Sequence, residues 1–207
     1  MSDQIVFYTH PMSRGRIIRW MLEEVGQPYE TCILDWASIK DPAYLAVNPM
    51  GKVPAVRHGD TVVTECAAIC AYLANAFPQA NLAPPVGSKL RGDYYRWLFF
   101  AAGPLEAAVT VKSLGFEVSA DSKRSAGWGD LGDVMDTLEK ALTGRDYLVG
   151  DSFTAADLYV GAHLDWGLQF GSIETRPVFK AYADRMAARP AAVRAREIDD
   201  ALIAAAA

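Results

Sequence analysis

One stretch of this chain has residue types and spacing that can do chemistry: Asn48-Pro49-Met50-Gly51-Lys52-Val53-Pro54-Ala55-Val56, followed within ten residues by Thr64-Glu65-Cys66. Two prolines, a glycine and a lysine lead into a short apolar run, and a turn returns the chain to an acidic residue heading a helix. Proline donates nothing to a sheet ladder, so Pro54 belongs at the first residue of a strand or in a bend. X-Pro bonds are also the usual home of a cis peptide. A cis Val53-Pro54 bond would turn the N–H and C=O of Val53 outward, where an extended peptide can pair with them by strand addition. The plainer alternative is an ordinary proline-rich connection before a strand.

The elements that must position this stretch follow from periodicity. Ile5 to Thr9 is β-rich and stops at His10-Pro11; from Ser13 onward Ile18, Met21, Leu22 and Val25 fall at helical spacing, and Gly26 supplies the stop. Tyr29 to Leu34 reads as a second strand, and the residues after it form a loop with little regular pattern. Ala55-Val56-Arg57 and Thr61-Val62-Val63 flank a short turn containing Gly59, a hairpin pattern, and Ala67 to Phe77 reads as a helix. Residues 1–77 therefore predict a mixed α/β module of βαβ-ββα order. Pro78 to Ser88 holds three prolines and a glycine and reads as a linker. Residues 89–207 predict an all-α module, with helices over Lys89–Ser113, Ser122–Thr143, Thr154–Gly167, Pro177–Ala188 and from Ala191 into a frayed alanine tail. Thr154 and Asp157 form a capping box with Asp in place of Glu, and Phe153 and Leu158 stand at the positions of a hydrophobic staple.

Composition narrows the class. Of 207 residues, 51% are hydrophobic and 22% charged, which suits a globular chain with a sizeable core. The net charge of −5 argues against a broad nucleic-acid or anionic-membrane surface. No apolar run reaches a membrane span, and Met1-Ser2-Asp3-Gln4 lacks the basic region and apolar core of a secretory signal. Cys32, Cys66 and Cys70 are too few, and odd in number, for a disulfide framework, so a reducing cytoplasm is expected. Cys66 and Cys70 read as small core residues rather than a redox pair.

FYTHPMSRGRIIRWMLEE, NPMGKVPAV, TECAAICAYL and SFTAADLYVG, in this order and spacing, resemble the cytosolic glutathione transferases over essentially the whole chain. The resemblance implies a thioredoxin-like N-terminal domain, an all-α C-terminal domain and a homodimer. It also implies a glutathione site on the first domain and a place for a small apolar electrophile. No cofactor is expected, glutathione being a co-substrate, and no metal site.

Glutathione needs an edge for its backbone, donors for two carboxylates, a negative group for its amine and a donor beside its sulfur. Val53 with Pro54 can supply the edge. Glu65 and the backbone of Cys66 begin a helix whose free N–H groups can hold the γ-glutamyl carboxylate. Lys52 or Lys40 can neutralise the glycyl carboxylate. Glu65 as a solvated acid favourable to the helix dipole is the alternative. Many members have Ser after the Glu, where this chain has Cys66; the backbone donor survives but a hydroxyl bond goes, at a cost of about 1 kcal/mol.

Ser13 resembles the serine of the serine-type members, its hydroxyl donating to the sulfur beside the first helical turn. A thiol of pKa near 8.5 is only about 3% ionised at pH 7. Lowering it by about two units takes roughly 2.7 kcal/mol and raises the thiolate fraction about 25-fold. A plain N-cap is the alternative for Ser13. Tyr8 and His10 are rivals for the sulfur, and no cysteine between His10 and Arg16 offers cysteine-type chemistry. Conjugation of glutathione to apolar electrophiles, in detoxification, is the leading expectation. A glutathione-dependent isomerase, dehalogenase or peroxidase on the same fold, or a non-catalytic binding and dimerisation module, are the alternatives.

Overall fold

β-branched and aromatic residues crowd Ile5–Thr9, and they form the central strand of the first unit. In the computed structural model, which describes residues 3–206, this unit runs β1 (Ile5–Thr9), α1 (Gly15–Val25), β2 (Tyr29–Ile33), a 3-10 turn (Ser38–Lys40) and α2 (Pro42–Leu45). It continues with β3 (Ala55–His58), β4 (Thr61–Thr64), α3 (Cys66–Ala76) and a 3-10 turn (Pro78–Ala80). The reading that Met1-Ser2 opens no secretory signal lies outside the described residues, as does Ala207 of the alanine tail expected to fray; Ala204 and Ala205 of that tail are helical. The sheet order is β2-β1-β3-β4, with β1 parallel to β2 and antiparallel to β3, and a tight hairpin joining β3 to β4. This is the mixed sheet of a thioredoxin-like fold.

Flanked by β2 and β3, β1 buries Ile5, Val6 and Phe7, and α1 buries Ile17, Ile18, Met21, Leu22 and Val25. Each such side chain contributes roughly 1.5–3 kcal/mol on burial. α1 stops at Gly26, whose left-handed backbone (φ 70°) lets its amide bond back to Leu22. Its first residue, Gly15, lies so close to β1 that a Cβ there would sit 1.9 Å from Thr9 Oγ1. The segment expected to be irregular contains α2, a single turn of helix begun by Pro42 after Asp41.

α9 (Pro190–Ala205) packs in this first unit, which comprises the described residues to Leu82 and those from Arg189. The sequence grouped it with the second module. α9 buries Ala191, Ala192 and Ala195, and ion pairs join it to α1 in antiparallel order: Arg16–Asp200 (2.6 Å), Arg19–Asp199 (2.7 Å), Glu23–Arg194 (3.2 Å) and Glu24–Arg189 (2.6 Å). Arg19 and Asp199 are buried, and the Arg19 guanidinium also lies over the Phe7 ring and beside Tyr29 and Thr31.

The second unit, Ala83–Ala188, contains α4 (Leu90–Phe100), a π-helical turn (Ala101–Leu105), α5 (Glu106–Ser113), α6 (Leu131–Leu142), α7 (Ala155–Gln169) and α8 (Pro177–Ala187). The helix expected over Lys89–Ser113 is a continuous helical run from Leu90 to Ser113, widened to a π-helical turn where Pro104, without an N–H, sits inside it. The helix expected from Ser122 begins only at Leu131. Gly129, at φ 69°, breaks the run, and Asp130 and Asp133 cap each other's backbone amides. At the start of α7, Asp157 reaches back to the Thr154 amide (2.8 Å) and accepts its hydroxyl (2.9 Å), the Leu148 amide (2.7 Å) and the Tyr182 phenol (2.8 Å). No helix among the described residues is long and apolar enough to cross a membrane.

Candidate active site

Strand register alone gathers the candidate residues. Thr9 pairs with Ile33, Tyr8 with Ala55, and Ala55 with Thr64. The ends of β1, β2 and β4 and the start of β3 therefore lie at one end of the sheet. The segments leaving or entering there carry His10–Ser13, Leu34–Lys40, Lys52–Pro54 and Glu65–Cys66. Cys66 fixes two of them together, its Sγ lying 3.8 Å from the Arg14 carbonyl at the start of α1.

The loop before β3 is held from beneath. The Lys52 carbonyl accepts the Tyr44 phenol (2.6 Å) and the Asn48 amide Nδ2 (2.8 Å), and Asn48 Oδ1 accepts the Met50 N–H (3.1 Å). Burial pushes the Tyr44 phenol up to about 12, so it stays a donor. Asn48 is buried. Gly51 takes φ 56°, and a Cβ there would meet the Ile39 carbonyl at 2.7 Å and Lys40 Nζ at 2.8 Å. Lys40 Nζ donates to the Met50 carbonyl (3.1 Å), which brings its side chain to the loop that carries Lys52, and both lysines are exposed. Val53 packs with Tyr8, Leu34 and Val47 around Ile39, Tyr44 and Ala55. The Val53-Pro54 bond is cis. Among the described residues, the N–H and C=O of Val53 have no hydrogen-bond partner.

Glu65 is exposed and precedes α3 with φ 67° and ψ 121°, a region that costs a non-glycine residue about 1–3 kcal/mol. Its carbonyl accepts the Ile69 amide, while its side chain makes no capping bond, so the carboxylate is not spent on the helix. Cys66 and Cys70 are buried and in no disulfide, and burial holds Cys70 well above the ordinary thiol range.

Ser13 is half-buried and doubly engaged. Its Oγ donates to the His10 carbonyl (2.6 Å) and accepts the Gly15 N–H (2.9 Å). To donate to a sulfur, the hydroxyl must turn its proton away from His10. Of the rivals, Tyr8 packs against Tyr44 with ring centroids 5.8 Å apart. The His10 ring is stacked on Trp36 (4.0 Å), and its Nδ1 accepts the Met12 N–H (3.1 Å). Arg14 is exposed, and Arg16 turns to Asp200.

Tyr44 and Asn48 are the residues that sequence reasoning passed over. Both act through the backbone of Lys52, and the only sequence signal was the Asn48-Pro49-Met50-Gly51 turn, closed by the Gly51 amide on the Asn48 carbonyl (2.8 Å).

The profile described as glutathione S-transferase, N-terminal domain, matches residues 12–76, and that of the C-terminal domain matches 113–190. A glutathione S-transferase of Xanthomonas campestris pv. campestris is 31% identical over 163 residues, 75% of this chain and 76% of that protein. The chain belongs to the glutathione S-transferase family. A crystal structure of a glutathione transferase from Methylococcus capsulatus matches with TM-score 0.78 at 30% identity, covering 95% of this transferase and 98% of that chain. A sphingomonad glutathione S-transferase complexed with glutathione matches with TM-score 0.77 at 31% identity, covering 94% and 98%.

Proposed function

We propose that this transferase adds the glutathione thiolate to small apolar electrophiles, a detoxifying conjugation. The observation that carries the reading is the unpartnered main chain of Val53, beside two lysines and held by Tyr44 and Asn48. Glutathione's backbone pairs with Val53 next to Pro54. Lys40 and Lys52 face its glycyl carboxylate, the Cys66 end of α3 its γ-glutamyl carboxylate, and Glu65 its amine. The Ser13 hydroxyl turns from His10 to the sulfur. With an aryl halide, the sulfur lone pair forms the C–S bond, halide leaves with the C–X electron pair, and the thiol proton passes to solvent. No cofactor enters this scheme. The exposed Leu90, Tyr95 and Phe99 of α4 support a homodimer, and three cysteines outside any disulfide support a cytoplasmic setting.

The test is retention on immobilised glutathione followed by turnover of 1-chloro-2,4-dinitrobenzene. The wild type should be retained and active. Ser13→Ala should be retained yet lose about a hundredfold in kcat, the scale of one donor to a developing anion. Full activity in Ser13→Ala would rule the serine out, and an unretained wild type would remove the whole reading.

A further inference from the structure

We propose that Asp200, on α9, is a positioning residue for the loop that presents Ser13, acting through Arg16. The inference rests on the assignment of the sulfur contact to Ser13. Arg16 stands in the first turn of α1, directly after the β1–α1 loop. Its Nη2 lies 2.6 Å from Asp200 Oδ1, while its Nη1 reaches back to the Pro11 carbonyl at 3.4 Å. Its backbone amide donates to the Ser13 carbonyl at 3.2 Å. One residue thus clasps the His10–Ser13 loop on both sides of Met12, and its guanidinium is anchored from the last helix. A planar guanidinium can serve both acceptors at once, which a lysine ammonium at the end of a flexible stem does poorly.

Folding alone does not account for this pair. The side chains are 22% and 58% exposed, and an exposed ion pair contributes about 0–1 kcal/mol. α9 is already fastened to α1 by the buried Arg19–Asp199 pair and by Glu23–Arg194 and Glu24–Arg189. What Asp200 adds is the direction of Arg16, and through it the placement of the Pro11 carbonyl next to the His10 carbonyl that holds the Ser13 hydroxyl. A misplacement of about 1 Å at a reacting group can cost about a hundredfold in rate. A clasp two bonds removed should cost less.

The experiment compares Asp200→Ala, Asp200→Glu, Arg16→Lys and Arg16→Gln with the wild type. It reads kcat and KM for glutathione with 1-chloro-2,4-dinitrobenzene, and the pH titration of bound glutathione thiolate by ultraviolet difference absorbance. Asp200→Ala should lower kcat about three- to tenfold, leave KM for glutathione within about twofold, and shift the thiolate titration upward, with little change in Tm. Asp200→Glu should restore both readouts, and Arg16→Lys should not match the wild type. Combining Asp200→Ala with Arg16→Gln should be no worse than Arg16→Gln alone. A wild-type kcat and titration in Asp200→Ala overturns the proposal, as does a loss that only follows a lowered Tm. Ser13→Ala separates the two readings. If it is inactive while Asp200→Ala is normal, the positioning role falls alone; if it is active while Asp200→Ala is slow, the Ser13 assignment falls and the clasp acts on another group of that loop.

Discussion

Around Val53 the supporting groups are committed to one another: Tyr44 and Asn48 hold the Lys52 carbonyl, Lys40 holds the Met50 carbonyl, and the Val53 amide and carbonyl are left open. At the other end the Ser13 hydroxyl, the group assigned to the sulfur, is itself engaged with His10 and Gly15. The first region is a preformed edge that needs no rearrangement to pair with an extended peptide. The second must exchange a hydrogen bond before it can act. Binding and thiol activation should therefore break separately, which a single rigid site would not allow.

On the binding side of this contrast the largest effect is expected at Asn48. Asn48→Ala removes two hydrogen bonds of a buried side chain, one to the Lys52 carbonyl and one from the Met50 amide, at a cost of about 1–3 kcal/mol. Glutathione affinity measured by calorimetry should fall about tenfold, with kcat at saturation nearly kept. A loss of kcat at unchanged affinity would break the comparison.

Glu65 comes next. Glu65→Gly relieves a backbone held at φ 67°, so Tm should rise or hold even though glycine is more costly to order in the folded chain. Glu65→Gln keeps the backbone and loses the charge. Both should bind glutathione several-fold more weakly if the carboxylate meets the ligand's amine; unchanged affinity in Glu65→Gln would make Glu65 a mere helix-start acid.

The smallest effect is at Tyr44. Its folded pKa is raised to about 12, chiefly by burial, so the unfolded chain ionises first as pH rises above about 10. The stabilisation tied to the protonated phenol is complete below that point and is lost between about 10 and 12. Tyr44→Phe should cost about 1 kcal/mol at neutral pH and reduce the decline of stability over that alkaline window. Part of the decline will persist, because Tyr29 is raised to about 12 as well. An identical decline in the variant would place the Tyr44 phenol in solvent.

Much of this is legible in the sequence. Period-two and period-3.6 runs placed β1, α1, β2, the hairpin and α3, and the order of the motifs placed the loops that carry Ser13, Val53 and Glu65. Three things are not. Pro104 sits in a π-helical turn inside a run that is otherwise α-helical, and Gly129 delays α6, because single residues override a composition that favours helix. α9 joins α1 through charges about 180 positions apart, such as Arg19 and Asp199, and no local pattern records such a partner. Tyr44 and Asn48 support the site by holding a backbone carbonyl, a role that leaves only a weak mark in residue type.

The separation of binding from activation is tested most directly by titrating the thiol of glutathione bound to the wild type and to Ser13→Ala. The wild type should hold the bound thiol about two units below the free value near 8.5, and Ser13→Ala should bind glutathione with an affinity within about twofold while its bound thiol returns toward that free value. A bound thiol ionising at the same pH in both proteins, or a variant that no longer binds, would contradict the account.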